Sequence, residues 1–296
     1  MPQKAPRVSI GLPVFNGERF VAEALDACLA QSYSDLELIV CDNASSDHTE
    51  EICRAYVDRD ARVRYHHNST NLGAGGNYRH AFELSVGEYF KWATYDDLCA
   101  PEFLARCVEV LDQEPSVVLA YPKTRLINEQ GQALSDYEDG LNLQSSSPIE
   151  RFQQLLRNLR LSNALYGLMP ARVLVKTNLI GSYVGADINF LAELSLHGKF
   201  WEIPEYLFFR RLHPKASSSM KESAKLLEFL EPAIAAKHRA PLIEWRQHGN
   251  YFRSVLRAPL SFGQKTRLGF FLLRRVIWNR AKLASELSAA VRRRRA

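Results

Sequence analysis

The sequence predicts an α/β fold: a mostly parallel central sheet with helices on both faces, followed by a helical C-terminal extension. Through the first 125 residues, short β-rich runs alternate with helical patterns, which is typical of a parallel sheet with crossover helices. Helical spacing dominates again after residue 220. Hydrophobic residues make up 46% of the 296 residues, enough for a sizeable core.

Five strands are expected in the first 125 residues, at 8–12, 36–41, 63–66, 89–93 and 117–121. Between them the spacing predicts helices at 17–31, 47–59, 77–85 and 101–113. Asp47 and Glu50 have the spacing of a capping box for the second helix. Residues 71–73 are predicted to form a turn, and Gly73, Gly75 and Gly76 would let the backbone approach a ligand closely. The alternative is a plain flexible loop.

The second part of the chain is less regular. Residues 128–148 form a long polar connection, and a helix is predicted from 148 to about 161. A further helical run follows Gly185, and a strand is predicted at 205–208. The five cysteines are scattered without CxxC pairs, which fits a reducing compartment. The N-terminal residues have no secretory hydrophobic region and no apolar run is long enough to span a membrane, so we expect a cytoplasmic location.

The polar segments that follow the predicted strands are expected to meet at one rim, because ligands bind beyond the carboxyl ends of parallel strands. Asp96 and Asp97 lie in one of these segments, directly after a buried strand. Two adjacent carboxylates repel each other, and a divalent cation would offset that repulsion. The alternative is that Asp97 caps the helix beginning near Pro101. The position on the rim favours the metal.

Two common phosphate-binding motifs are missing. Pro13 interrupts a possible GxGxxG in the first strand–helix turn, and no GxxxxGK[ST] loop occurs. These absences count against a dehydrogenase and a P-loop NTPase. Asp42, at the end of the second strand, is suited to accept a hydrogen bond from a nucleotide base or ribose. It is equally suited to satisfy its own loop.

Four segments carry a family resemblance: VSIGLPVFNGERF, LELIVCDNASSDHTEEI, NLGAGGNYRHAF and GEYFKWATYDDLCAPEFL. In order and spacing they resemble the family 2 glycosyltransferases, which have the Rossmann-like glycosyltransferase-A fold, over about residues 7–215. The resemblance implies an inverting enzyme that moves a sugar from a nucleotide diphosphate sugar, UDP-sugars favoured. It implies a catalytic domain at 1–215, with a nucleotide-sugar half at 1–125 and an acceptor half at 126–215, before an extension at 216–296.

The resemblance also implies roles for individual residues of the first half. Pro13, Phe15 and Asn16 would line the base-binding turn with Glu18 beside them, while Asp42 would contact the base. Asn71 is assigned to the same nucleotide-sugar site. Asp96 and Asp97 fall on the family's metal-binding motif, with Thr94 where a first aspartate is common. Asp97 is therefore expected to bind Mn²⁺ or Mg²⁺, with Asp96 reaching the ribose or a metal-bound water.

In the second half the resemblance implies a catalytic base, since an acceptor hydroxyl needs one. Asp187 in GADINFLAEL has the family position, although Ala186 replaces a frequent second acid; the alternative role for Asp187 is a helix cap. Residues 209–214 resemble the family's closing loop, with Arg211 near the diphosphate and His213 near the metal, unless this is a solvated basic loop. Ser217–Ser219 would let that loop move as a lid.

The C-terminal extension differs in charge from the rest. Residues 264–296 hold ten Lys or Arg and one Glu, while the whole chain is only +5. Helical spacing predicts an arginine–aromatic stripe on one side (Arg267, Phe271, Arg274, Trp278 and Lys282), with Arg275 adjacent, and an apolar stripe packed on the body (Leu268, Leu272, Val276, Leu283 and Leu287). The basic stripe suits an anionic membrane surface; nucleic acid is the weaker alternative.

We therefore expect a peripheral enzyme on the inner face of the cytoplasmic membrane. Its acceptor would be a saccharide or lipid-linked molecule in cell-surface polysaccharide synthesis. The alternative from another class is a catalytically weak homologue that binds a nucleotide sugar or a polysaccharide assembly at the membrane. Turnover separates the two hypotheses, because only the enzyme would transfer the sugar.

Overall fold

The computed structural model describes residues 5–216, Leu230 and 242–295, with side chains through Arg292. Its first half contains β1 (Val8–Val14), α1 (Val21–Leu29), β2 (Leu36–Asp42), α2 (Thr49–Arg59), β3 (Val63–His67), α3 (Gly73–Glu83), β4 (Tyr89–Trp92), β5 (Leu98–Cys99), α4 (Phe103–Gln113) and β6 (Val117–Ile127). Then come β7 (Ala133–Tyr137), α5 (Pro148–Asn158), β8 (Met169–Pro170), α6 (Ala171–Leu174), α7 (Ala186–His197), β9 (Lys199–Arg211), α8 (Ile243–Arg257), α9 (Phe262–Trp278) and α10 (Arg280–Arg295).

The main sheet has the order β3-β2-β1-β4-β8. The first four strands are parallel, and β8 closes the edge antiparallel to β4. The chain moves outward from β1 through β2 to β3, then returns to β4 on the other side of β1. A crevice opens at such a reversal of strand order, beyond the carboxyl ends of β1 and its neighbours. The predicted α/β class is confirmed.

The fifth predicted strand does not join the main sheet. The strand that begins at Val117 runs to Ile127 and belongs to a second sheet, of order β5-β9-β6-β7. Its parallel partner is β9, which lies about seventy residues further along the chain. The polar connection predicted at 128–148 also contains a strand, β7, because residues 133–137 pair with β6 as a hairpin. The predicted boundary at residue 125 falls inside β6.

The Asn71 side chain accepts a hydrogen bond from the backbone of Gly73, as in a turn, but the helix begins at Gly73 and not at the predicted residue 77. Helix α3 begins at Gly73, which has φ +74°, and includes Gly75 and Gly76. A Cβ on Gly75 would lie 2.3 Å from the carbonyl oxygen of Gly181. The backbone that approaches Gly75 closely is therefore that of residues 181–182 of the same chain. This packing outweighs the low helix propensity of glycine.

Neither Asp47 nor Asp187, both considered as helix N-caps, occupies the cap position. Helix α2 begins at Thr49 with His48 at the cap and no side-chain cap bond. Asp47 instead accepts hydrogen bonds from the backbone N–H groups of Thr49 and Glu18, so it joins two loops. Helix α7 begins at Ala186 after Gly185, whose φ is +82°. Asp187 thus lies inside the first turn and is not the cap.

The C-terminal helices pack on the preceding α/β part of the chain. Leu268 and Leu272 of α9 are completely buried and belong to the same core as Phe152 of α5 and Phe190 of α7. The prediction of an apolar inner stripe is confirmed for these two leucines and for Leu283, but Leu287 is 42% exposed. Phe271 was expected on the outer stripe; it is partly buried and its ring packs edge-on to Phe152. No helix among the described residues is long and apolar enough to span a bilayer.

Candidate functional site

A cavity of about 390 Å³ opens at the carboxyl ends of β1, β2 and β4. Five of the residues predicted from sequence line it, namely Pro13, Phe15, Asn71, Asp96 and Asp187. Its other lining residues include four tyrosines (Tyr78, Tyr95, Tyr166 and Tyr183) and three basic side chains (Arg160, Arg210 and Lys215). A volume of this size suits a small ligand. The lining combines aromatic rings with groups of both charges, which suits a substrate carrying sugar and phosphate.

Asn16, Glu18 and Asp42 do not line the cavity but hold the loops that do. Asn16 has φ +50° and accepts a 2.8 Å hydrogen bond from the backbone of Ser46. Glu18 accepts one from the backbone of His48. Asp42 is fully buried, and its two oxygens accept from the Ser45 backbone N–H and the Tyr65 hydroxyl. Asn16 and Glu18 therefore join the β1–α1 loop to the β2–α2 loop, while Asp42 ties the end of β2 to its own loop and to β3.

The adjacent acids Asp96 and Asp97 have different surroundings. Asp96 lines the cavity, and its Oδ2 lies 2.8 Å from Nε2 of His213. Both oxygens of Asp97 are engaged elsewhere, with Oδ2 accepting from the Thr94 hydroxyl and Oδ1 from the backbone N–H of Arg211. Desolvation, followed by the negative charge of Asp96, raises the pKa of Asp97 to about 7. The open carboxylate is therefore Asp96.

Arg210 and Arg211 are consecutive residues of β9 with opposite environments. Arg210 lines the cavity, whereas the Arg211 side chain is 1% exposed. The Arg211 guanidinium donates to the carbonyls of Asp96 and Glu129 and to the carboxylate of Glu23. Since successive strand residues point to opposite faces, only one of the two can reach a ligand. The predicted loop at 209–214 is strand as far as Arg211, and the predicted lid residues 217–219 lie outside the described residues.

Arg210 was not singled out from the sequence. Its side chain is hydrogen-bonded to a buried polar residue. Its Nη1 donates to Oδ1 of Asn163. Behind Asn163 lies Asp139, 4% exposed, whose two oxygens have no hydrogen bond of normal geometry. Burial first, and then the charge of Glu202, raise the pKa of Asp139 to about 7, while weak contacts from Asn163 oppose the rise. An acid that titrates near neutrality thus lies behind a cavity-lining guanidinium.

Asp187 is the free carboxylate on the other side of the cavity. It is half-buried on the first turn of α7 and, in the part of the chain described, has no hydrogen-bond or ion-pair partner. The remainder of α7 is almost wholly buried, so the helix is a rigid support. Asn189 of the same helix donates to the carbonyl of Gln247 in α8. An unpaired acid on a fixed element is well placed to accept a proton from a bound hydroxyl.

The aromatic lining residues are a further feature that the sequence alone did not reveal. Burial, followed by the neighbouring Tyr166, raises the pKa of Tyr78 well above its ordinary value. Burial also raises the pKa of Tyr183 to about 12. These hydroxyls stay protonated near neutral pH and can donate or accept hydrogen bonds, while their rings offer flat apolar faces. No periodic signal marks these tyrosines, because they come from separate elements.

No group of three or more His, Cys, Asp or Glu side chains among the described residues is arranged to hold a metal ion. Asp96 lines the cavity and offers one carboxylate there, whereas His213 is buried behind it and does not line the cavity, with Nε2 already 2.8 Å from Oδ2 of Asp96. Mg²⁺ commonly takes one or two protein carboxylates and completes its shell with substrate phosphates and water. The Asp96 carboxylate fits a cation of that kind, shared with a phosphate-bearing ligand, and His213 is the neighbouring nitrogen.

The comparisons with known proteins agree with this geometry. Residues 9–170 match the family described as Glycosyl transferase family 2. An uncharacterized glycosyltransferase of Rickettsia typhi is 26% identical over 208 residues, covering 69% of this chain and 61% of that protein. The chondroitin synthase of Escherichia coli is 28% identical over 134 residues, covering 45% of this chain and 19% of that protein. The chain spans roughly a fifth to three fifths of the length of the first curated relatives it matches.

Solved structures share the fold at low identity. S. aureus TarS 1-349 in complex with UDP-GlcNAc matches with a TM-score of 0.66 and 16% identity, covering 91% of this chain and 72% of that one. The mannosyltransferase PcManGT from Pyrobaculum calidifontis, in complex with GDP-Man and Mn²⁺, matches with a TM-score of 0.54 and 17% identity. That match covers 98% of this chain and 87% of that one.

Proposed function

The chain belongs to glycosyl transferase family 2, and on this premise we propose that it transfers a sugar, with inversion, from a UDP-sugar to a hydroxyl of a saccharide or lipid-linked acceptor. The observation that carries the proposal is the cavity, which has the open acid Asp96 at the strand ends and the unpaired acid Asp187 on α7. The UDP-GlcNAc complex of TarS, which shares the fold, supports a UDP-sugar as donor.

The donor would lie against the carboxyl ends of β1, β2 and β4. Pro13, Phe15 and Asn71 line this part of the cavity and would contact the nucleotide. Asn16, Glu18 and Asp42 would act by fixing the loops. Arg210 would face the diphosphate, since a guanidinium pairs well with phosphate oxygens. In this proposal Arg211 supports the Asp96 backbone and does not touch the donor.

Asp96 and His213 would hold a divalent cation, Mn²⁺ or Mg²⁺, and Asp97 would support them from behind. When bound, the cation supplies positive charge for the leaving diphosphate. A Mn²⁺ complex of a mannosyltransferase with this fold supports the metal. This assignment exchanges the expected roles of Asp96 and Asp97, because both oxygens of Asp97 are already engaged.

Asp187 would act as the general base. Its carboxylate takes the proton of the acceptor hydroxyl while that oxygen attacks the anomeric carbon of the sugar. The bond from that carbon to the diphosphate oxygen breaks, and the nucleotide diphosphate leaves with the electron pair. One displacement from the face opposite the leaving group inverts the anomeric configuration. The role needs a carboxylate that is free to take a proton, and among the residues the structure describes Asp187 has no hydrogen-bond or ion-pair partner.

The acceptor is proposed to be at the cytoplasmic face of the membrane, for building a cell-surface polysaccharide. Two features support a membrane-associated acceptor. The C-terminal helices are strongly basic, and α8 packs directly on α7, which carries Asp187.

The test begins with calorimetry of UDP, GDP and dTDP, with and without MnCl₂. Wild type is expected to bind UDP tightly only with Mn²⁺, and Asp96→Asn to lose the metal-dependent part. Asp187→Asn is expected to bind UDP normally but to release UDP from UDP-GlcNAc or another UDP-sugar roughly 10²–10⁴-fold more slowly. Asp58→Asn, an exposed acid on α2, is the control. No manganese-dependent binding of any nucleotide would refute the proposal, whereas binding without turnover would favour the non-catalytic homologue.

A further inference from the structure

The outward face of α9 is apolar, which is unusual for a helix on a protein surface. Phe262 is 87% exposed, Phe270 66%, Ile277 53% and Leu273 49%. At 3.6 residues per turn these four positions fall within about 80° of each other. The buried Leu268 and Leu272 lie on the other side of the helix. Thr266 is the one polar residue within this sector. Single exposed apolar residues are ordinary, but four large ones on one face of a helix mark an interaction surface.

We propose that this stripe, together with Trp278 at the C-terminal end of the helix, inserts into the surface of an anionic bilayer. The inference deepens the proposed function and rests on it for the membrane-associated acceptor. It changes the surface expected from sequence, because Phe271 packs inward while Phe262, Phe270, Leu273 and Ile277 point outward. Trp278, 86% exposed, is suited to the headgroup level of a membrane.

The charges around the stripe favour an anionic membrane over a second copy of the chain as its partner. Helix α9 carries four Lys or Arg and no Asp or Glu. Arg267 and Arg274 are exposed and flank the stripe on the side of Trp278. A second copy of the chain would bring like charges together across the interface, whereas anionic lipid headgroups pair with them. An apolar face bordered by arginine is the pattern of helices that lie in the membrane interface.

The contacts behind α9 connect this face to the active site. Helix α9 packs on α8, and Gln247 of α8 meets both Asn189 and the Gly185 turn that precedes Asp187. Docking through α9 therefore fixes the acceptor side of the cavity near the bilayer. A lipid-linked acceptor could then reach Asp187 while its lipid stays in the membrane.

The experiment measures sedimentation of the full chain with phosphatidylcholine vesicles, with and without phosphatidylglycerol, at physiological salt. Wild type is expected to bind only the anionic vesicles. Phe270→Ser with Ile277→Ser should weaken binding at least tenfold, and Arg267→Gln with Arg274→Gln roughly 30-fold. Val86→Ser with Val175→Ser, which removes exposed apolar residues from the body, is the matched control and should bind as wild type does.

A second measurement locates the contact. Brominated lipid is expected to quench tryptophan fluorescence in wild type and to quench it much less in Trp278→Phe. Equal vesicle binding by wild type and the α9 variants, or no binding at all, would overturn the inference. Self-association that disappears in the Phe270→Ser variant would also overturn it in favour of a dimer interface. Calorimetry of UDP on the same variants reports the proposed function separately, since their substitutions lie outside the cavity.

Discussion

Replacing Asp139 with asparagine should make the protein's stability less dependent on pH. In the folded chain the pKa of Asp139 is raised from 3.8 to about 7, mainly by burial. The folded state therefore binds this proton more strongly than the unfolded chain does. As pH rises from the unfolded toward the folded pKa, ionisation favours unfolding, so the wild type loses stability over this window.

The loss of unfolding free energy can be worked out from the shift in the pKa of Asp139. Each unit of pKa difference corresponds to about 1.4 kcal/mol, and between pH 5 and pH 8 the wild type should lose roughly 2.5 kcal/mol through this one group. Asparagine has nearly the same shape and no charge. Asp139→Asn should therefore gain roughly that amount relative to wild type across the same interval.

Urea denaturation at a series of pH values, followed by circular dichroism, measures this difference. Asp58→Asn, which changes an exposed acid, should show a difference from wild type that does not vary with pH. If Asp139→Asn also differs from wild type by the same amount at every pH, the buried acid does not titrate near neutrality and the reasoning fails. UDP affinity is a second readout, because Asp139 lies behind the Asn163 that holds Arg210.

Three further predictions concern packing and the paired arginines. Gly75→Ala should lose several kcal/mol in urea denaturation, because its Cβ would collide with the Gly181 backbone. Leu268→Ala should cost about 2–5 kcal/mol in the same assay if the extension is part of the core; a cost near zero would show that it is not. Arg210→Gln should weaken UDP binding by calorimetry with little change in stability. Arg211→Gln should do the reverse and lose about 3 kcal/mol or more, and equal effects in the two variants would contradict the assigned faces.

The sequence was sufficient for the fold class and for the position of the rim. Strand–helix alternation and polar strand ends are local signals, and they located the rim and Asp96. The family resemblance supplied Pro13, Phe15, Asn71 and Asp187, and all five residues line the cavity. The partner of β6 was not predictable in the same way. β9 is distant in the chain, and nothing local to either strand says which sheet it joins.

The other differences between prediction and structure concern which way a side chain points and what it packs against. The doublets Asp96–Asp97 and Arg210–Arg211 each contain one residue that lines the cavity and one that does not. A pattern of residue types does not tell which member points inward unless the strand register is known. The outward apolar stripe of α9 was similarly hidden, since both of its faces are rich in apolar residues and only the structure shows which one meets Phe152.

The contacts between the β4 end and the β9 end also have a consequence for synthesis of the protein. The backbone N–H of Arg211 bonds to a carboxylate 114 positions earlier, and His213 reaches Asp96 across 117. At translation rates of about 5–20 residues per second, roughly 6–23 s separate the emergence of the acids from that of their partners. During that interval the nascent chain presents Asp96 and Asp97 without the groups that later enclose them. The proposed donor site therefore stays incomplete until β9 and His213 have been synthesised.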